Sequence, residues 1–400
     1  MEFGSCIRVY GSGDGQMRAQ KYGIDCRKGV MNKGNLYRIE RVMKRAMRGE
    51  AITVGFLGGS ITQGCLSSTP ETCYAYLVYQ WWCEKFPDSE ITYVNAGIGG
   101  TTSQFGVARA DSDLLSKDID FTVVEFSVND DDNEHFLETY EGLIRKIYSY
   151  KTNPAILIVN SVRYDDGVNA QAQHIKIGKA YELPCVSMKP TLYEKILDGT
   201  YTSRDITEDD LHPNDEGHGL MSEVIISFLE MVYEELEAGT EAADNHLDVR
   251  KMTPVTENAY EDSVRIQNDN SEAVLTENDG FAIDGQPQHD IREIFRRGWT
   301  ADKKGAHIGF DIEGSCIGVQ YRKSVAQPTC IARAVVDGDA DNAKILDGNF
   351  EETWGDSLHL DTIAEHLPSG KHHVDIELVE THADDKVPFY LVSVIGSGKK

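Results

Sequence analysis

Asp209-Asp210-Leu211-His212-Pro213 sets a carboxylate three residues before an imidazole. Across a turn, that spacing brings the carboxylate to the ring Nδ1–H and leaves Nε2 free to take a proton from another group. Asp210 competes as the neighbouring acid, but the spacing favours Asp209. A group that needs such a base is Ser60 in Gly58-Gly59-Ser60-Ile61-Thr62, because a serine hydroxyl is a poor nucleophile until its proton is taken. Two further polar signals lie between them, Asn95-Ala96-Gly97-Ile98-Gly99-Gly100-Thr101-Thr102 and Ser127-Val128-Asn129-Asp130. The N–H of Gly100 and the side-chain amide of Asn129 are donors suited to a developing oxyanion, and such donors contribute about 3–4 kcal/mol to a transition state. Asn95 and Thr102 are read as residues that hold the Gly100 loop together.

Taken singly, each signal has a plain structural reading. Gly-Gly-Ser is also a helix N-cap, the Gly100 stretch an ordinary strand-to-helix loop, and Asn129 an Asx-turn. Asp130, Asp131 and Asp132 are contiguous and lack interleaved metal ligands, so they read as a solvated loop. His218, at the start of a helix, reads as structural, and the remaining histidines have no comparable setting. Together, a nucleophile, a base and two oxyanion donors are what acyl transfer at a serine requires.

Each polar signal before the histidine follows an apolar run of strand length: Ile52–Leu57, Ile91–Ala96 and Phe121–Phe126, with further runs at Ala155–Val159 and Pro184–Met188. Such runs suit strands buried on both faces of a parallel sheet. Helical periodicity is expected over 36–49, 73–86, 134–149 and 215–237. The alternation predicts βαβ units, with sites at the carboxyl ends of the strands. Near residue 238 the pattern changes to small and polar residues. Beyond it, period-2 alternation at 307–312, 330–336 and 373–378, with a closing strand at 389–395, predicts an antiparallel β-sandwich. The expected organisation is an N-terminal extension and helix (1–50), an α/β domain (51–237), a linker (238–256) and a sandwich (257–400).

The chain has 400 residues, 40% of them hydrophobic, and a formal net charge of -27. That balance argues against nucleic acid and anionic membrane surfaces, whose phosphates are met by Lys and Arg. The eight cysteines include no CxxC pair and are expected to be reduced thiols, without a zinc site. No charged-then-apolar leader is visible and no run long enough to span a bilayer occurs, so a cytoplasmic location is expected. The opening Met1-Glu2-Phe3-Gly4-Ser5 leaves open whether a leader once preceded it.

The order Ser60, Gly100, Asn129, Asp209-x-x-His212, each block at a strand end, resembles the SGNH (GDSL-type) hydrolase superfamily over residues 50–237. The matching blocks are Gly58-Gly59-Ser60-Ile61-Thr62, Asn95-x-Gly97-x-x-Gly100-x-Thr102, Ser127-x-Asn129-Asp130 and Asp209-x-x-His212-Pro213-Asn214. Gly59 stands where that family usually has Asp, and Ser127 where it often has Gly; neither position supplies a catalytic group there. The resemblance implies a three-layer α/β/α fold with Ser60 as nucleophile and His212 as base, oriented by Asp209. It also implies an oxyanion hole made by the N–H groups of Ser60 and Gly100 and the Asn129 amide, with no metal or organic cofactor.

The fusion to a sandwich that looks like a carbohydrate-binding module is similar to bacterial two-domain carbohydrate esterases, including the mannan-acting carbohydrate esterase family 17. The implied activity is removal of O-acetyl groups from hemicellulose oligosaccharides, mannan before xylan. Trp299 and Trp354 are candidates to stack on sugar rings, with burial in the core as the alternative for either. A generic short-chain acyl esterase or thioesterase, and a non-catalytic carbohydrate-binding protein, are the competing readings. The intact set of five site residues argues against the last.

Overall fold

The computed structural model describes residues 15–240, 242–244, 247–285 and 294–399. The chain divides into two compact units: the first runs to Thr256 except for Val107–Arg109, and the second takes those three residues with the chain from Glu257 onward. In chain order the first unit carries α1 (Gly15–Lys21), β1 (Val30–Asn32), α2 (Tyr37–Met47), β2 (Ile52–Gly58), α3 (Ser60–Gln63), α4 (Tyr74–Lys85) and β3 (Ile91–Gly97). It continues with α5 (Ser103–Asp113), β4 (Phe121–Glu125), α6 (Glu134–Tyr148), β5 (Ala155–Asn160), α7 (Gln171–Ala180), β6 (Cys185–Ser187), α8 (Glu194–Leu197) and α9 (Asp215–Glu237).

The six-stranded sheet has the order β1-β6-β5-β4-β2-β3. β2 to β6 pair in parallel, and the short edge strand β1 runs antiparallel to β6. Successive residues of the central strands face opposite layers. Phe56, Val123 and Leu157 join one core cluster with Val42, Val78, Trp82, Val224 and Phe228 from α2, α4 and α9. Leu57, Val124 and Ile158 are equally buried outside that cluster. Gly106 of α5 is pressed against Phe126 and Leu143, the latter on α6. From β2 the chain crosses to β3 on one side and then returns to β4 on the other. That reversal opens a crevice at the carboxyl ends of these strands, the usual place for a site in such sheets.

Three expectations change. The Ile91 run does not form a strand buried on both faces: β3 is the sheet edge, with Thr92 and Asn95 exposed. Residues before 50 are not a mere extension, because Ile39, Val42, Met43 and Ala46 of α2 belong to the core. The segment expected as a linker is tied to the first unit. Ala242 N donates to the Glu40 carboxylate at 3.0 Å, and Val255 N and Thr256 N donate to Glu141 at 2.6 and 2.7 Å.

The second unit has two antiparallel sheets. One is β15 (Ser357–Ala364), β12 (Cys316–Lys323), β17 (Phe389–Ser397), β10 (Trp299–Ala301) and β9 (Ala282–Ile283), with β7 (Val264–Ile266) also on β17. The other is β14 (Lys344–Asp347), β13 (Ile331–Val336), β16 (Gly370–Glu380), β11 (His307–Gly314) and β8 (Leu275–Asp279). Alternation along β16 buries Val374, Ile376 and Leu378 against Val319, Leu391 and Val394 of the facing sheet. This is the sandwich that the period-2 pattern predicts.

Trp299 corrects its sugar-binding assignment. It is 0% exposed and packs edge-on against Phe310 at 5.4 Å between ring centroids, so it is core. Trp354 is 59% exposed, with Phe350 edge-on at 5.2 Å. No helix among the described residues is long and apolar enough to cross a membrane.

Candidate active site

β2 ends at Gly58, and Ser60 heads the short helix α3 with Gly59 as its cap. A residue at the head of a helix has no intrahelical acceptor for its N–H, so the Ser60 amide is not used within α3. A pillar supports the turn from below. Thr62 Oγ1 hydrogen-bonds Tyr74 OH at 2.8 Å, and Tyr74 stacks on His218. His218 accepts Tyr74 N on Nδ1 at 3.3 Å and donates from Nε2 to Cys65 O at 3.2 Å. Burial lowers its pKa to about 4, so it stays neutral in the structural role its sequence position suggested.

The base comes from the loop before α9. Asp209 folds back in an Asx-type turn in which Oδ1 accepts Leu211 N at 3.0 Å and His212 N at 2.7 Å. The other oxygen, Oδ2, takes His212 Nδ1 at 2.6 Å, and His212 Nε2 meets Ser60 Oγ at 2.8 Å. Partial burial works against ionisation of Asp209. The ring N–H and the two backbone N–H groups outweigh it and hold the carboxyl below its ordinary value. Asp210 does not compete: its carboxylate is engaged by the Arg204 guanidinium. Pro213 bridges back to Thr207, and Asn214 caps α9 by accepting Gly217 N at 3.1 Å, so the relay loop is anchored on both sides.

The Gly100 loop leaves β3 beside Ser60. Asn95 does hold it, donating to Thr62 O at 2.8 Å and accepting Gly97 N at 2.9 Å. Gln63 Oε1 adds a bond from Gly99 N at 2.9 Å. Gly100 itself has φ 68°, a left-handed conformation that glycine adopts without the strain a side chain brings. Thr102 makes no side-chain cap.

Asn129 lies in the turn after β4. Its amide rests against Gly59: a β-carbon there would sit 2.3 Å from Asn129 Oδ1 and 3.4 Å from Nδ2. The turn is fixed by Ser127, whose N and Oγ donate to Glu125 Oε1 at 3.1 and 3.0 Å, with Ser161 O as a second acceptor for Oγ at 3.1 Å. Burial of Glu125 raises its pKa to about 7.

The crevice thus joins Ser60, His212 and Asp209 directly, with Asn129 against the neighbouring Gly59 and the turn before Gly100 beside Ser60. One companion was missed. Asp130, read as part of a solvated acidic loop, is buried. It accepts Ser103 N at 2.8 Å and the buried His174 Nε2 at 3.1 Å. Its place directly after Asn129 was the available signal; Asp131 and Asp132, which are exposed, masked it. Among the described residues no group of three His, Cys, Asp or Glu is placed to hold a metal ion.

The GDSL-like lipase/acylhydrolase family model matches residues 56–220. A crystal structure of a two-domain esterase (CEX) active on acetylated mannans, co-crystallized with mannopentaose, is 54% identical. It covers 94% of this chain and 99% of its own, with a TM-score of 0.88. A second structure of a two-domain esterase of that description is 55% identical with the same coverage and TM-score. No curated protein sequence matches the chain. The four sequence blocks, the α/β/α unit that carries them and a likeness running through both units lead to one assignment: the chain belongs to the SGNH (GDSL-type) hydrolases, in their two-domain esterase form.

Proposed function

We propose that this protein is a serine esterase that removes O-acetyl groups from hemicellulose oligosaccharides, with acetylated mannan the favoured substrate. The observation that carries the reading is the unbroken relay from Asp209 Oδ2 through the His212 ring to Ser60 Oγ, with contacts of 2.6 and 2.8 Å. The likeness over both units to an esterase active on acetylated mannans supports the choice of glycan.

In the proposed reaction, Ser60 Oγ attacks the acetyl carbonyl while His212 Nε2 takes its proton. Asp209 keeps the ring in the tautomer with Nε2 bare and favours the imidazolium once formed. The N–H groups of Ser60 and Gly100 and the Asn129 amide receive the oxyanion. Collapse expels the sugar oxygen, which takes the proton from His212 and leaves an acetyl-Ser60. Water, deprotonated by His212, attacks that ester, and acetate leaves as Ser60 regains its proton. In the second unit, the exposed Trp354, steadied by Phe350, offers a flat apolar face of the kind that stacks on sugar rings.

Ser60→Ala tests the assignment. It should abolish acetate release from acetylated mannan oligosaccharides while leaving the unfolding transition unchanged. Turnover retained in that variant refutes Ser60 as nucleophile, and a preference for acyl thioesters over acetylated sugars refutes the substrate.

A further inference from the structure

We propose that Asp130 is a positioning residue that locks the two oxyanion loops to one another, with His174 as its buried anchor; this rests on the esterase reading above. Asp130 follows Asn129 directly, and both N–H groups donate to Phe126 O, at 3.0 and 2.9 Å. Its backbone therefore belongs to the turn that presents the Asn129 amide. Its side chain reaches the other loop. Oδ1 accepts the N–H of Ser103, three residues after Gly100 and the first residue of α5. One carboxylate thus joins the strand-end loop of β3 to that of β4.

The second oxygen is held as tightly. Oδ2 meets His174 Nε2 at 3.1 Å, and both side chains are 0% exposed. The His174 ring lies flat on Tyr140, 3.6 Å between centroids and 9° between planes. Among the described residues its Nδ1 has no hydrogen-bond partner, which fits the tautomer with the proton on Nε2, donating to Asp130. Ser103 Oγ is also pinned, to Thr139 Oγ1 of α6 at 2.7 Å. Every group that touches the carboxylate is itself immobilised by α6 or α7. An oxyanion hole works by fixing its donors before charge develops, and here the distance between two donors carried on separate loops is set through one buried side chain.

A competing account is that Asp130 merely caps α5 and stabilises the fold. Kinetics separate the two. We expect Asp130→Ala to lower kcat on p-nitrophenyl acetate about 100-fold, comparable to losing an oxyanion donor, with KM changed less than about twofold. In an Asn129→Ala background, where one of the two donors is already gone, the same change should cost only about 10-fold, because residues acting as a unit are not additive. Asp130→Asn, which keeps an acceptor for Ser103 N, should lose less than the alanine variant. His174→Phe, which keeps the ring on Tyr140 but removes the Nε2–H, should lose about 10-fold in kcat. These two variants carry the test if Asp130→Ala does not fold. An unchanged kcat, or equal losses in the wild-type and Asn129→Ala backgrounds, overturns the proposal. Ser60→Ala run alongside keeps the outcomes apart: turnover surviving in it refutes the esterase reading, whereas a dead Ser60→Ala with an unaffected Asp130→Ala refutes only the strut.

Discussion

Asn129 fills the space that a side chain on Gly59 would need. A β-carbon on residue 59 would sit 2.3 Å from Asn129 Oδ1 and 3.0 Å from its Cγ, distances no side chain tolerates. The φ of Gly59 is -86°, so the backbone does not ask for glycine there; the neighbouring amide does. Gly59→Ala should push the Asn129 amide out of the crevice and lower kcat about 10²–10³-fold, with little change in thermal stability. A crystal structure of the variant with Asn129 unmoved and full turnover would contradict this.

The relay makes a separate prediction. With Asp209 replaced by Asn, the acceptor for Leu211 N and His212 N can persist, but the carboxylate that fixes the His212 tautomer is gone. Asp209→Asn should lose about 10⁴-fold in kcat, as expected when the ring carries its proton on the wrong nitrogen. Steady-state kinetics on p-nitrophenyl acetate measure it, and a loss below about 10-fold would mean that Asp209 does not orient the base.

Much of this site was legible in the residues. The blocks around Ser60, Gly100, Asn129 and His212 follow apolar runs, and an α/β sheet brings the carboxyl ends of its strands together, so adjacency could be argued before coordinates. Less visible were features that depend on tertiary packing. Val30–Asn32 is too short for a periodicity, and it becomes a strand only because β6 offers an edge. Asp130 and Asp131 are the same residue type one step apart, yet one is buried and the other exposed. That difference is set by where Ser103 and His174 lie, which no local pattern encodes. Trp299 and Trp354 posed the same problem in the second unit: a three-residue strand has no alternation long enough to assign the face of Trp299, and Trp354 lies outside any strand.

Those two tryptophans should now behave oppositely. Trp299→Ala removes a fully buried side chain from the sandwich core and should cost about 3–5 kcal/mol of stability, read from denaturant unfolding. Trp354→Ala should leave stability within about 0.5 kcal/mol. It should raise KM for acetylated mannan oligosaccharides roughly fivefold, as loss of about 1 kcal/mol of stacking predicts. KM for p-nitrophenyl acetate should not move. A parallel rise with both substrates would remove Trp354 from sugar recognition.

Glu125 predicts a pH effect on stability. Burial raises its pKa from the ordinary 4.5 to about 7. Between those values the folded protein keeps a proton that the unfolded chain has released, so stability falls as pH rises through this window and levels off above it. The full difference corresponds to roughly 3 kcal/mol. Glu223, raised by burial to about 7, acts in the same direction. Glu125→Gln should therefore flatten part of the decline between pH 5 and pH 8, measured as urea midpoints. An unaltered slope would mean that Glu125 ionises normally in the fold.

The most direct test of the whole account is mass spectrometry of acetylated mannan oligosaccharides after incubation with the wild-type protein and with Ser60→Ala. The account predicts stepwise loss of acetyl groups with the wild type, intact glycan chains, and no change with the variant. Oligosaccharides left fully acetylated by the wild type, or deacetylated equally by Ser60→Ala, would contradict it.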